Sequence, residues 1–344
     1  MKSKRKLWRK LGKLQLKLLL QRKWTRDCRY LPLTIAHREL YDIIHCRYRK
    51  IFGRFPDLVE CQDINDRIQW LKLFDQDREI IRCANKITVR DYIREKVGDQ
   101  YLVKLYQVHN HFDQIDFTAL PNAFVIKTNH DSGTVFLIRN KAQMDKQSLE
   151  HRIETALRKP FGWKGGEWSY SYMPPQVLVE ELLNPQDHTP PPDYKFYCSE
   201  GRVKFCLYVY DRWSDLTEQC VDLTGKDLKV QMNPDLNHTT NFKKPEQWDE
   251  MIQVAEQLSQ QFKFVRVDLF WTKERIYVGE LTFWPYAGHC RGNGQKILGP
   301  LIDFDRTTYR PFLLPELEAE CSRFNLYPLS RAAEKFNRKR EDNN

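Results

Sequence analysis

No apolar run of eighteen or more residues occurs in this chain, so no segment reads as a membrane-spanning helix. No C-x-x-C occurs among the nine cysteines, which are scattered, odd in number and preceded by no secretory apolar region. That pattern predicts reduced thiols in a cytosolic setting, with neither a zinc site nor a disulfide framework. No G-x-x-x-x-G-K-[ST] is present, which excludes a P-loop. The only approach to a protein-kinase catalytic loop, "AHREL" at 36–40, carries Glu39 where an aspartate belongs, and no D-F-G follows it. No Ser/His/Asp or Cys/His arrangement points to a nucleophilic enzyme. Acid is also missing from the first 26 residues: eleven Lys and Arg precede Asp27.

That last absence localises the charge. The net charge is +10, so the 318 residues after Arg26 are close to neutral, near −1. A neutral body argues against nucleic-acid binding, which needs basic groups spread over a folded face. The leader "KRKLWRKLGKLQLKLLLQRKW" sets Leu7, Leu11, Leu14 and Leu18 at helical spacing among cations. It reads as a basic amphipathic helix attaching residues 1–26 to an anionic membrane, each cation adding roughly 1 kcal/mol at best. A solvated or self-docked arm is the alternative. The expected location is cytoplasmic, peripheral on the inner face of the cytoplasmic membrane.

The full chain of 344 residues is 41% apolar and has a mean hydropathy of −0.67, enough for two or three soluble domains. Residues 30–115 are helix-rich: "INDRIQWLKLFD" spaces Ile64, Ile68, Leu71 and Phe74 on one face, and "NKITVRDYIREKVG" stops at Gly98. From about 116 the period changes. "DFTALPNAFVIKTNHDSGTVFLI" reads as strand, polar loop, strand, and "PPQVLVEELL" as a strand over Val177–Leu183. "YKFYCSEGRVKFCLYVYDR" reads as a hairpin turning at Glu200–Gly201, and Pro245 opens a helix striped by Trp248, Met251, Ile252, Ala255, Leu258 and Phe262. The organisation expected is a leader (1–29), a helix-rich region (30–115), a smaller α+β unit (116–184), a larger one (185–310), and a C-terminal helix with a polar tail (311–344). The fold class is α+β.

Within "VRVDLFWTKERIYVGELTF" (265–283), a hairpin centred on Glu274 lays Asp268 opposite Glu280 and Arg266 opposite Thr282 on one face. Opposed carboxylates repel unless a cation lies between them. Mg²⁺ suits two carboxylates plus substrate phosphates, and Thr282 could add a neutral oxygen. The competing explanation is an ion pair with Arg266. Lys127, before the small-residue loop "TNHDSG" with Ser132 and Gly133, and Lys195, in "DYKF", are cations at strand positions suited to phosphate, or else ordinary solvated lysines.

The ordered set "FVIKTNHDSG", "VLVEELL", "DYKFYCSEG", "FVRVDLF" and "VGELTFWPYAG" resembles the ATP-grasp superfamily, and more narrowly its teichuronopeptide-biosynthesis (TupA-like) branch, over about residues 50–300. The resemblance implies two α+β subdomains clasping ATP. It implies Lys127 and the Ser132–Gly133 loop on the phosphates, and Glu180, with the backbone of Glu181 and Leu183, on adenine. By the same resemblance Lys195, Arg212 and Arg266 balance phosphate charge, and Asp268, Glu280 and Thr282 hold Mg²⁺. "ANK" places Lys86 as a positioning lysine. The superfamily's usual E-x-N is here Glu280-Leu281-Thr282, which puts the third metal ligand in doubt.

The implied activity is ATP-dependent carboxylate–amine ligation through an acylphosphate. The implied partners are a uronic-acid-type glycan carboxylate and an amino-acid or amine acceptor, in bacterial surface-polysaccharide assembly. Two other readings use different features: a glycosyltransferase of the same pathway, from the D-x-D patterns at Asp75–Asp77 and Asp303–Asp305, and a hydroxyl phosphotransferase on the same nucleotide site.

Overall fold

The computed structural model describes residues 35–159, 161–184, 191–210, 216–239, 242–272 and 274–306. The expected leader helix, Arg212, and the C-terminal helix and tail lie outside the described residues. Four helices come first: α1 (Ile35–Phe52), α2 (Ile64–Phe74), α3 (Arg78–Ala84) and α4 (Val89–Lys96). Aspartate side chains start two of them. Asp63 accepts from the Asp66 N–H ahead of α2, and Asp77 from the Glu79 N–H ahead of α3. Gly98, at φ +101°, ends α4 as the sequence predicts, its N–H reaching the Ile93 carbonyl at 3.2 Å.

Strands β1 (Leu105–His109), β2 (Phe124–Thr128), β3 (Val135–Ile138) and β4 (Val177–Glu181) form one antiparallel sheet in the order β1-β4-β2-β3, with helix α5 (Lys146–Leu157) between β3 and β4. This sheet takes in Leu105–His109, N-terminal to residue 116. β4 stops two residues short of Leu183, ahead of a left-handed Asn184 (φ 49°). Phe124, Ile126, Val177 and Val179 point to one face and pack with Leu149, Ile153 and Leu157 of α5 in a separate small core. The alternate residues Lys127 and Glu180 therefore point to the other face.

The second sheet has six strands: β5 (Asp193–Ser199), β6 (Arg202–Tyr210), β7 (Thr217–Val221), β8 (Asn237–His238), β9 (Phe264–Trp271) and β10 (Ile276–Thr282), in the order β10-β9-β5-β6-β7-β8. Helix α6 (Trp248–Ser259) precedes β9, and the short α7 (Gln295–Leu298) follows β10. The β5–β6 hairpin turns at Glu200 (φ 49°) and Gly201 (φ 71°), two left-handed residues that match the twist of the strands they join. Phe196, Val265, Val267 and Leu269 belong to the main core with Trp248, Met251, Ala255 and Leu258 of α6. Trp248 and Phe196 have ring centroids 5.2 Å apart.

The N-terminal helices share this core, and α2 departs from the one-faced helix its spacing suggests. Every residue from Ile64 to Leu73 is buried, including Lys72 at 0% exposure. The helix is clamped between the rest of the core and the turn that follows β10.

Candidate active site

On the cleft face of the large sheet, Glu280 of β10, Asp268 of β9 and Lys195 of β5 are successive Cα partners across three strands. The next row holds Thr282, Arg266 and Tyr197. The pairings expected from the sequence are present, but they depend on a β-bulge. From Ile276 to Val278 the hairpin register opposes Val278 to Leu269, and the register shifts between Val278 and Glu280. Gly279 is the extra residue. Were the first register continued, Gly279 would oppose Asp268 and Glu280 would oppose Val267 on the core-facing side with Val278, because one residue of slip moves every later side chain to the other face.

Asp268, 2% exposed, accepts from Arg266 through both carboxylate oxygens, from Nε to Oδ1 at 2.6 Å and from Nη2 to Oδ2 at 2.7 Å. Lys195 Nζ also donates to Oδ2 and lies 3.7 Å from Asp193. Arg266 Nη2 is 3.3 Å from Glu280 Oε1 and 3.0 Å from Thr282 Oγ1, and the Thr282 hydroxyl donates to Glu280 Oε1 at 3.0 Å. Burial alone would disfavour the Glu280 carboxylate, yet the fields of Lys86, Arg266 and Lys195, with the Thr282 hydrogen bond, outweigh it and hold its pKa at about 2. Arg266 is held above the usual range because Asp268 more than offsets its desolvation.

Of the two explanations offered for the acids, the ion pair with Arg266 is the one observed. Asp268 is ion-paired with Arg266, while Glu280 keeps Oε2 without a hydrogen bond among the described residues. Two facing carboxylates are hard oxygen donors that suit Mg²⁺ shared with phosphates. Among the described residues no third His, Cys, Asp or Glu joins them in a group that could hold a metal unaided.

Facing this network, the small sheet presents Lys127, whose Nζ donates to Glu180 Oε1. Lys86, between α3 and α4, donates to the Asp131 carbonyl in the loop after β2, and burial pushes its ammonium pKa down. Asp131 fixes that loop by accepting from the Thr128 hydroxyl and, at 2.5 Å, from the Thr134 hydroxyl. Asn129 ties it to the segment before β4 through Pro174 O (2.9 Å) and Gln176 N (2.8 Å). Ser132 and Gly133 are left exposed at the tip, where Gly133 adopts φ +96° with nothing within 4 Å of a would-be Cβ.

A cleft of ≈ 340 Å³, including space open to solvent, runs between the two sheets. Val89, Ile93, Leu102, Phe270 and Val278 make its apolar walls, and Lys86, Arg90, Lys127 and Glu180 line its polar side. Of the expected adenine-reading groups, Glu180 opens into this cleft, Leu183 lies two residues past β4, and the Glu181 N–H is already taken by Lys104 O at 2.9 Å. The cleft is thus lined by Lys86, Lys127 and Glu180, while Asp268, Glu280, Thr282, Arg266 and Lys195 cluster beside it on β10, β9 and β5, with Glu280 in the field of Lys86.

Several contributors were not singled out from the sequence. Arg90 and Phe270 reach the cleft only through the packing of α4 and β9. After Thr282 the chain makes three successive left-handed residues, Tyr286 (φ 53°), Ala287 (φ 52°) and Gly288 (φ 61°). Such a turn is strained for non-glycine residues and needs outside support. Support comes from α2. Lys72 Nζ donates to Ala287 O and to Gly165 O, both at 2.7 Å, and Gln69 Nε2 to Gly288 O at 2.7 Å. In the sequence Lys72 looks like any polar-face lysine, so no signal marked it. The D-x-D patterns have structural employment: Asp77 caps α3, and Asp303 pairs with Arg67 at 3.0 Å.

Comparison with known proteins follows the same line. No curated protein matches the chain. Similar solved structures include D-alanine–D-alanine ligase from Bacillus anthracis (14% identity, 76% of this chain on 70% of that one, TM-score 0.39). Others are phosphoribosylamine–glycine ligase from Thermotoga maritima (12%, 61% on 50%, TM-score 0.37) and the ATP-grasp ligase PsnB with its minimal precursor (12%, 64% on 59%, TM-score 0.34). The chain therefore spans between 50% and 70% of the length of these neighbours, and at such scores the family assignment rests on the family model. That model, described as TupA-like ATP-grasp, matches residues 66–302, a stretch that holds both sheets and every charged group of the cleft described above. With more than two thirds of its length matched, this chain belongs to the TupA-like ATP-grasp family.

Proposed function

We propose that the enzyme joins a carboxylate to an amine through an acylphosphate, with a uronic-acid-type glycan carboxylate as the acceptor of phosphate and an amino acid or amine as nucleophile. One observation carries this reading: a facing acid pair, Asp268 and Glu280, set among Arg266 and Lys195, with Glu280 in the field of Lys86, which lines the neighbouring cleft together with Lys127. The apolar walls and Glu180 suit a purine ring with an exocyclic amine, and Lys127, Lys86 and the Ser132–Gly133 tip suit its phosphates. Asp268 and Glu280 would hold Mg²⁺, which when bound neutralises charge on the β- and γ-phosphate oxygens. Arg266 and Lys195 already sit on Asp268 and need only rotate toward a phosphoryl group to balance the charge moving onto the leaving ADP.

The carboxylate oxygen attacks the γ-phosphorus and the bridging bond to ADP breaks. The amine nitrogen then attacks the acyl carbon and the C–O bond to phosphate breaks. Placement and charge balance account for the protein's part. The glycan class and the location at the inner membrane face rest on the family's tie to teichuronopeptide biosynthesis and on the basic composition of residues 1–26. No helix among the described residues is long and apolar enough to cross a membrane.

Incubation with ATP, Mg²⁺, uronate-containing glycan and an amino-acid set should release ADP and phosphate in step with amide formation. Acceptor-dependent release of AMP, or γ-phosphate retained on the product, would refute the acylphosphate ligase reading. Pelleting of the full chain, but not of a chain lacking residues 1–26, with anionic vesicles tests the membrane assignment.

A further inference from the structure

The hydroxyl of Thr282 is engaged in both senses. It donates to Glu280 Oε1 and accepts from Arg266 Nη2, each at 3.0 Å. The same guanidinium nitrogen reaches Asp268 Oδ2 at 2.7 Å and Glu280 Oε1 at 3.3 Å, so Thr282 completes a closed ring of contacts around Arg266. A divalent ion bonded to the Thr282 oxygen at about 2.1 Å would stand about 4 Å from that guanidinium nitrogen. Asp268 and Glu280 each bring a full negative charge to offset such a neighbour. A neutral hydroxyl brings none.

We propose that Thr282 is a positioning residue and not a metal ligand, and that the Asp268–Glu280 pair takes one divalent cation together with the nucleotide phosphates. This rests on the ligase reading above. Thr282 turns Oε1 of Glu280 toward Arg266, which leaves Oε2 as the carboxylate oxygen without a hydrogen bond among the described residues. Two carboxylates, phosphate oxygens and water complete the shell of a single Mg²⁺. A second ion at the usual separation of about 3.5–4 Å would need a further anionic oxygen, and no third acid joins the pair among the described residues.

The test uses the full chain, Mn²⁺ as the metal probe and the non-hydrolysable nucleotide AMPPNP, read by equilibrium titration and electron paramagnetic resonance. One Mn²⁺ per chain with an uncoupled six-line spectrum is expected, and two spin-coupled Mn²⁺ ions overturn the inference. In Thr282→Val, Mn²⁺ affinity should stay within about threefold while the preference for AMPPNP over ADP falls about tenfold, because Arg266 loses its orienting contact. Thr282→Ser should keep wild-type values on both counts. A Thr282→Val chain that loses tenfold or more in Mn²⁺ affinity with its AMPPNP preference intact marks Thr282 as a ligand and overturns the proposal. A wild-type chain that binds no AMPPNP at all refutes the ligase reading itself, an outcome distinct from two bound ions.

Discussion

Replacing Asp268 by Asn tests whether the acid pair is held by the network described. Asp268 is 2% exposed and receives three charge-assisted hydrogen bonds, two from Arg266 and one from Lys195, which are themselves 9% and 8% exposed. The amide keeps one acceptor oxygen, turns an NH₂ toward cations, and leaves two buried positive charges short of a counter-charge. Breaking a buried pair this way costs about 3–5 kcal/mol. Glu280, 3.3 Å from Arg266, and Asp193, 3.7 Å from Lys195, recover part of it, so a loss of about 3 kcal/mol is expected. Urea unfolding of the nucleotide-free protein measures it, with the slope checked for constancy. In the cycle with Lys195→Met, the double variant should be less destabilised than the sum of the singles by about 2 kcal/mol, since one unpaired charge is removed with its partner. A loss under about 1 kcal/mol with additive singles would refute the network as drawn. Well-packed apolar replacements of buried ion pairs are often neutral or stabilising, so the charges are better explained by nucleotide chemistry than by stability.

Gly279→Ala places a Cβ 2.7 Å from Phe270 Cε2 and should cost about 1–3 kcal/mol while displacing that ring into the cleft, so both Tm and AMPPNP affinity should fall; unchanged values would contradict the bulge geometry. Lys72→Met leaves the Gly165 and Ala287 carbonyls without their shared donor and should lower unfolding free energy by about 2–4 kcal/mol, with a loss below 1 kcal/mol counting against the brace. His45 and His289 are buried and neutral, burial pushing them down to about 4 and about 2, whereas the unfolded chain protonates them near 6.5. As pH falls from 7 to 5 the unfolded state binds up to two more protons, so these two groups reduce stability by about 2.5 kcal/mol per pH unit at the steepest. The pair His45→Leu with His289→Phe should remove that slope, and identical slopes in variant and wild type would overturn the assignment.

Local signals in this sequence were strong wherever they were chemical. Gly98 at a helix end, Glu200–Gly201 at a hairpin and the alternation of Asp268, Arg266, Glu280 and Thr282 along two strands each follow from the backbone needs of one or two residues. The acids' opposition was legible too, although a hairpin of uniform register centred on Glu274 is not how it arises. The strands leave their turn one residue out of that register, and Gly279 corrects it. A glycine in a strand announces a bulge only when its partner strand is known, here because the Phe270 ring occupies the space a side chain would need.

What the sequence determined alone was the order of elements, the kinds of charged residue on each strand face and the family they resemble. Tertiary structure decided which charges meet. Lys86 reaches the loop after β2, Lys127 reaches Glu180, and Lys72 crosses to the strained turn at Tyr286–Gly288, contacts spanning 45, 53 and more than 200 residues. The reason is physical: side-chain periodicity fixes only the face a residue presents, whereas a charge is defined functionally by its partners, and those are delivered by packing between segments that the chain itself keeps far apart.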